Sequence, residues 1–201
     1  MIGIVDYGAG NLRSVKKALD HVGASCRIVS GVGELEGVGR IVLPGVGAFG
    51  AAVSRLEERG FFGFLGEWIR ADRPFLGICL GLQLLFEGSS ESEGVRGLGF
   101  FEGACLRFRE GKVPQIGWNR VMTVPGSPLF DGIGDGTFFY FLHGYHAAPA
   151  DESTVVARTT YGVTFASAVR RGRVWAVQFH PEKSGDAGLR LLANWEARCR
   201  P

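Results

Sequence analysis

No apolar stretch of the chain reaches the roughly 18 residues that a membrane-spanning helix requires. Neither sign of charge forms a long run, and 22 lysines and arginines against 20 acidic residues leave a formal net charge of +2. So balanced a chain offers no strong field to nucleic acid or to an anionic membrane surface. Cysteine is sparse: Cys26, Cys79, Cys105 and Cys199 lie far apart, with no Cys-x-x-Cys pair. That spacing argues against a disulfide framework and for a reducing, cytoplasmic compartment. The opening segment Met1-Ile2-Gly3-Ile4-Val5-Asp6 reads as a strand with no basic segment before it, so no secretory signal is expected.

What the chain has in plenty is glycine, 32 residues, and phenylalanine, 15 residues, with hydrophobic residues at 46% of 201. A chain of this size and makeup can bury a core without disulfides or metal. No internal repeat, linker or low-complexity tract divides it, so residues 1–201 are expected to share one domain.

Apolar, β-branched runs alternate with helical spacing through the first half. Ile2 to Val5 precedes Leu12, Val15, Leu19 and Val22; Arg27 to Val29 and Ile41 to Leu43 follow as strands. Helices are expected near Ala48 to Arg59 and Phe62 to Arg70, then a strand from Phe75 to Cys79 and a helix from Leu80 to Phe86. Continuous apolar strands joined by helices imply an α/β fold, a mainly parallel sheet covered on both faces. After a Gly/Ser/Glu loop from Gly88 to Gly94, the segments Ala104 to Phe108, Phe138 to Leu142, Thr154 to Thr160, Thr164 to Val169 and Val174 to Phe179 read as antiparallel strands. From Asp186, Leu192, Trp195 and Cys199 at helical spacing predict a closing helix.

Three segments carry chemistry. In Pro74-Phe75-Leu76-Gly77-Ile78-Cys79-Leu80-Gly81-Leu82-Gln83 a buried strand enters a helix through Gly-x-Cys-x-Gly, the form of a nucleophile elbow, with the thiol at a helix N-terminus that favours an anion. The same spacing also suits a small buried cysteine among packing glycines, and spacing alone leaves both open. In Gln178-Phe179-His180-Pro181-Glu182, extended backbone would put His180 and Glu182 on one side, so that the carboxylate orients the imidazole as base for a thiol; a surface pair at a strand end is the plainer alternative. Both segments end apolar strands, and in a parallel sheet they meet at the carboxyl edge.

The third segment, Leu43-Pro44-Gly45-Val46-Gly47-Ala48-Phe49-Gly50, has two readings. Gly45-x-Gly47-x-x-Gly50 matches a dinucleotide fingerprint, but Phe61 to Arg70 reads as helix where that motif needs a second strand and an acid. Alternatively the glycines free a backbone N–H to hold an oxyanion together with the N–H of Leu80. Asp6-Tyr7-Gly8-Ala9-Gly10-Asn11, at the end of the first strand, either borders this site or is a turn. His143-x-x-His146 has ligand spacing without a neighbouring acidic or cysteine cluster, so no metal is expected. Trp118 and Asn119, in a Gly/Pro-rich loop, are core or contact surface.

Together these motifs resemble the class I, or triad, glutamine amidotransferases in order and spacing. Gly10-Asn11-Leu12-Arg13-Ser14-Val15, Pro114-Gln115-Ile116-Gly117-Trp118-Asn119, Tyr140-Phe141-Leu142-His143-Gly144-Tyr145 and Lys183-Ser184 are most similar to the branch of glutaminase subunits serving imidazole glycerol phosphate synthases. The resemblance implies a flavodoxin-like sheet with an antiparallel extension in the C-terminal half. It implies a glutaminase of histidine biosynthesis with the triad Cys79, His180 and Glu182 and no cofactor. Backbone N–H groups near Val46 and Leu80 would form the oxyanion hole, and Gly47, Gln83, Gly144 and Tyr145 the glutamine pocket. Ammonia would pass to a (β/α)8-barrel cyclase subunit in a heterodimer, docked through Asn11, Trp118, Asn119 and Lys183. Gln115 stands where His is expected, and Gly144 where Ser or Thr is usual. A glutaminase for another synthase, a dinucleotide oxidoreductase and a silent binding subunit are the competing readings.

Overall fold

A computed structural model describes residues 1–198; Cys199, expected on the last helix, lies outside the described residues. The first half follows the predicted order of elements, with α4 shorter than expected. β1 (Ile2–Val5), α1 (Leu12–His21), β2 (Cys26–Val29), β3 (Arg40–Gly45), α2 (Phe49–Glu58), α3 (Phe61–Arg70), β4 (Phe75–Cys79) and α4 (Leu80–Gln83) follow one another. The second half holds β5 (Phe86–Ser89), β6 (Phe101–Arg107), β7 (Gln115–Thr123), β8 (Thr137–His143), β9 (Tyr145–Pro149), β10 (Val155–Tyr161), β11 (Val163–Arg171), β12 (Val174–Val177) and α5 (Gly185–Arg198).

The main path of strands runs β2-β1-β3-β4-β12-β11-β10-β7-β8. The first five are mutually parallel, and the sheet turns antiparallel from β11 onward. Strands β1, β4 and β12 are buried at every position because both their faces are covered, whereas the edge strand β2 exposes Arg27. Leu43 packs into one core with Val53 and Leu56 of α2 and Leu65 and Trp68 of α3. Its neighbour Val42 packs into the other with Val15 and Leu19 of α1 and Leu191, Leu192 and Trp195 of α5. Alternate side chains of one strand thus feed two hydrophobic layers.

Four expectations need correction. The helix expected from Leu80 to Phe86 stops at Gln83, and Phe86 already begins β5, because a short apolar run satisfies helix and buried strand equally. The loop expected from Gly88 overlaps β5, which pairs parallel with β6. Trp118 and Asn119 lie within the nine-residue strand β7, not a loop, and β9 was not foreseen. Val174 to Phe179, expected as antiparallel, ends as a strand at Val177 and pairs antiparallel with β11 but parallel with β4. That second pairing carries the segment after β12 to the same edge as the ends of β3 and β4. Among the described residues no helix is long and apolar enough to cross a membrane.

Candidate active site

The elbow at Cys79 exists because two glycines let backbone pass where a side chain would not fit. A Cβ on Gly77 would lie 2.6 Å from the Gly81 carbonyl oxygen, and one on Gly81 would overlap the Leu43 carbonyl. The tight passage drives Cys79 to φ 55°, ψ −107°, a conformation that non-glycine residues keep only where surrounding structure enforces it. Leu80 then opens α4, and Gly45 is paired with Cys79 across β3 and β4.

Residues after β12 complete the cluster. His180 Nδ1 is 2.8 Å from Glu182 Oε1, both side chains almost wholly buried. The pairing does not come from extended backbone as expected: Pro181 to Lys183 form a 3-10 turn that curls Glu182 back to the ring. Backbone bonds fix the turn, with His180 N–H donating to the Tyr140 carbonyl at 2.8 Å and Ser184 Oγ donating to the His180 carbonyl at 2.6 Å. Nε2 has no hydrogen-bond partner. Burial opposes charge on His180, but the Cys79 sulfur and the Glu182 carboxylate outweigh it and push its pKa up to about 10. The ring is therefore poised to hold a proton beside the sulfur.

Beneath the sulfur lies a polar network that the sequence reading did not assign. Gln178 Nε2 reaches Cys79 Sγ at 3.6 Å, and Sγ reaches the Leu142 carbonyl at 3.7 Å. Gln83 Nε2 donates to Gln178 Oε1 at 3.1 Å and to the Tyr145 carbonyl at 2.9 Å. Gln178, the polar residue that follows the apolar strand β12, is fully buried.

A cavity of about 350 Å³ opens over the sulfur. Val46, Gly47, Cys79, Leu80, Gln83, Gly144 and Tyr145, all predicted, line it together. Glu91, Arg107 and His143, not predicted, line it too. Glu91 Oε2 accepts the Phe49 N–H at 2.7 Å and so ties the cavity wall to the first turn of α2. Burial holds His143 down at about 4, so it is neutral and its Nδ1–H donates to the Tyr145 carbonyl at 2.7 Å. His143 and His146 both pack on Phe108; among the described residues no group of three or more metal-binding side chains forms. A larger cavity of about 580 Å³ beyond Arg107, lined by Phe108, His146 and Tyr161, contains none of Cys79, His180 or Glu182.

The residues expected at a partner surface divide. Trp118 is 55% exposed and packs edge-on to Tyr140, whose ring lies 5.6 Å from Lys183 Nζ and 6.5 Å from the His180 ring. Asn119 points to the other face of β7, where its side-chain amide donates to the Thr160 carbonyl at 3.0 Å. Asn11 stands at the N-terminus of α1 without capping it through its side chain. Gln115 is buried, and a Cβ on Gly144 would make only an ordinary contact with Val113, so nothing steric excludes Ser or Thr there.

The model of the glutamine amidotransferase class-I family matches residues 3–197. The imidazole glycerol phosphate synthase subunit HisH of Thermococcus kodakarensis is 52% identical over 200 residues, covering 97% of this chain and 98% of that protein. The subunit of the same description from Methanothermobacter thermautotrophicus is 48% identical over 196 residues, with 97% of each covered. A crystal structure described as a glutamine amidotransferase superposes with a TM-score of 0.77 at 23% identity over 98% of both chains, which speaks to the fold alone.

Proposed function

The chain belongs to the class I glutamine amidotransferase family, and from that premise we propose that it is the glutaminase subunit of an imidazole glycerol phosphate synthase, with Cys79, His180 and Glu182 as its triad. The Cys79 sulfur attacks the side-chain carbonyl carbon of glutamine while His180 holds the proton. The oxyanion formed is held by the N–H groups of Val46 and Leu80, where one such donor contributes about 3–4 kcal/mol of transition-state stabilisation. His180 returns the proton to the amide nitrogen, the C–N bond breaks, and ammonia leaves a γ-glutamyl thioester on Cys79. Water, deprotonated by His180, hydrolyses the thioester and frees glutamate. Glu182 holds the imidazole in the tautomer that both steps need.

Glutamine is a zwitterion at its amino-acid end. Glu91 and Arg107 are the charged side chains that line the cavity, suited to its ammonium and carboxylate respectively, while Gly47, Gly144 and Tyr145 offer backbone contacts.

Ammonia set free in water would be protonated and lost, so the reading requires a receiving partner, a (β/α)8-barrel cyclase subunit. Trp118, Tyr140 and Lys183, beside His180, are the surface it would cover, with Asn11 at the rim. We take residues 1–201 as one amidotransferase domain, working in the cytoplasm, where the described cysteines, which form no disulfide, stay reduced. The observation that carries the reading is the gathering of seven predicted residues around one cavity, with a buried imidazole–carboxylate pair beside the Cys79 sulfur. The test is glutamate release from glutamine with and without the cyclase subunit and its nucleotide substrate. A steep rise on adding both supports the reading; indifference to them points to a glutaminase serving another synthase.

A further inference from the structure

Tyr7 is a buried titratable residue to which the mechanism above gives no task. It follows β1 at the carboxyl edge, its side chain is wholly buried, and its hydroxyl has no hydrogen-bond partner. Such a group in a folded protein calls for an explanation. The segment that carries it is fastened from α2 and the residue that caps it: Arg59 donates to the Asp6 carbonyl at 2.8 Å and Arg55 to the Gly8 carbonyl at 3.2 Å, while Asp6 Oδ1 accepts the Gly8 N–H at 2.8 Å. Held this way, the hydroxyl lies against Gly45, close enough that a Cβ built there would overlap it. Burial first, and the nearby Cys79 second, raise its pKa well above the usual phenol range, so it remains an O–H donor.

The acceptor is supplied by the neighbouring turn. The peptide joining Gly45 to Val46 is planar and trans, so its C=O and N–H point in opposite directions. When the Val46 N–H faces the cavity over Cys79, the Gly45 carbonyl faces away from it, where an unpaired carbonyl would be costly. Gly47, at φ +96°, gives the turn the freedom to adopt that orientation.

We propose that Tyr7 is a positioning residue for the oxyanion hole, its hydroxyl donating to the Gly45 carbonyl and so holding the Val46 N–H toward the substrate. The inference rests on the reading of Val46 as an oxyanion donor. It assigns the unpaired hydroxyl to a hydrogen bond made in the reacting arrangement.

Tyr7→Phe removes the donor and keeps the ring. Wild-type and variant subunits are each assayed in complex with the cyclase subunit for glutamate release. Alkylation of Cys79 by iodoacetamide, a displacement that forms no oxyanion, is followed in parallel. The variant is expected to lose roughly five- to tenfold in kcat, the worth of one neutral hydrogen bond, with KM and the alkylation rate unchanged. Its melting temperature should be equal or higher, because a buried hydroxyl without a partner has gone. An unchanged kcat, a parallel fall in alkylation, a lower melting temperature or a failure to fold overturns the proposal and leaves the glutaminase reading standing. A wild-type complex that releases no glutamate although its Cys79 alkylates normally overturns that reading, and this proposal with it.

Discussion

Replacing Glu182 with glutamine removes a charge and turns one buried oxygen into an NH2 group, and the surroundings decide which way the amide turns. Oε1 of Glu182 accepts from His180 Nδ1 at 2.8 Å, while Oε2 is buried with no partner. A glutamine that kept its oxygen on Nδ1 would leave the NH2 in the partnerless position, at a cost of about 1–3 kcal/mol. With the NH2 turned toward Nδ1, that nitrogen must accept, and the ring proton moves to Nε2, the atom required to take the proton from Cys79. A preference of that size leaves the useful tautomer in roughly one molecule in six to one in 150. Loss of the carboxylate also removes a charge-assisted bond to the imidazolium, about 1.5–3 kcal/mol. The two effects together predict a fall in kcat of roughly 10²- to 10⁴-fold, measured as glutamate release at saturating glutamine in the complex with the cyclase subunit. The KM should change little, since Glu182 does not line the cavity. A loss smaller than about tenfold would show that the carboxylate does not set the tautomer.

Cys79→Ala should abolish glutamine-dependent synthesis by the complex while synthesis from added ammonium salt persists; equal loss of both would mean that docking or folding had been damaged. Gly81→Ala places a Cβ on the Leu43 carbonyl, backbone that cannot move aside, and should cost on the order of 3 kcal/mol; a urea midpoint shift worth less than about 1 kcal/mol would refute the steric account of the elbow. His180 has its pKa raised from 6.5 to about 10, so the stability drawn from its partners is fully present below pH 6.5 and is lost as pH climbs through 10. Melting temperature should therefore fall more steeply between pH 7 and 10 in the wild type than in Glu182→Gln; parallel curves would contradict the shift.

How much of this could be read from the chain depends on the range of the forces involved. The elbow was legible because its demands are local: Gly77 and Gly81 admit a turn that other residues would block. So were β1, β3 and β4 and the helices between them, because a strand buried on both faces reads as a nearly unbroken apolar run. Val46, Cys79 and Leu80 followed from motifs at strand ends that a parallel sheet brings to one edge, whereas Gly47, Gln83, Gly144 and Tyr145 were placed at the pocket only by the family resemblance. Trp118 was misplaced in a loop because Gly117 and Pro114 interrupt the alternation that would have marked β7. The 3-10 turn under Glu182 was missed because Tyr140, distant in sequence, helps Ser184 impose it on a segment whose proline favours extended backbone just as well. Gln178, Glu91 and Arg107 acquire meaning only through their neighbours in space, and no periodicity announces them.

The bond from His180 N–H to the Tyr140 carbonyl, with the Tyr140 N–H donating to Ser184 Oγ at 3.0 Å, also covers the outer side of β8, the last strand on the main path of the sheet. An uncovered rim of this kind would recruit a strand from another molecule. The segment that holds His180, the base we propose, thus doubles as a guard against self-association. Damage that dislodges it will produce protein that clumps as well as protein that is inert, so poor solubility in a variant near position 184 is itself a sign that the base has come adrift.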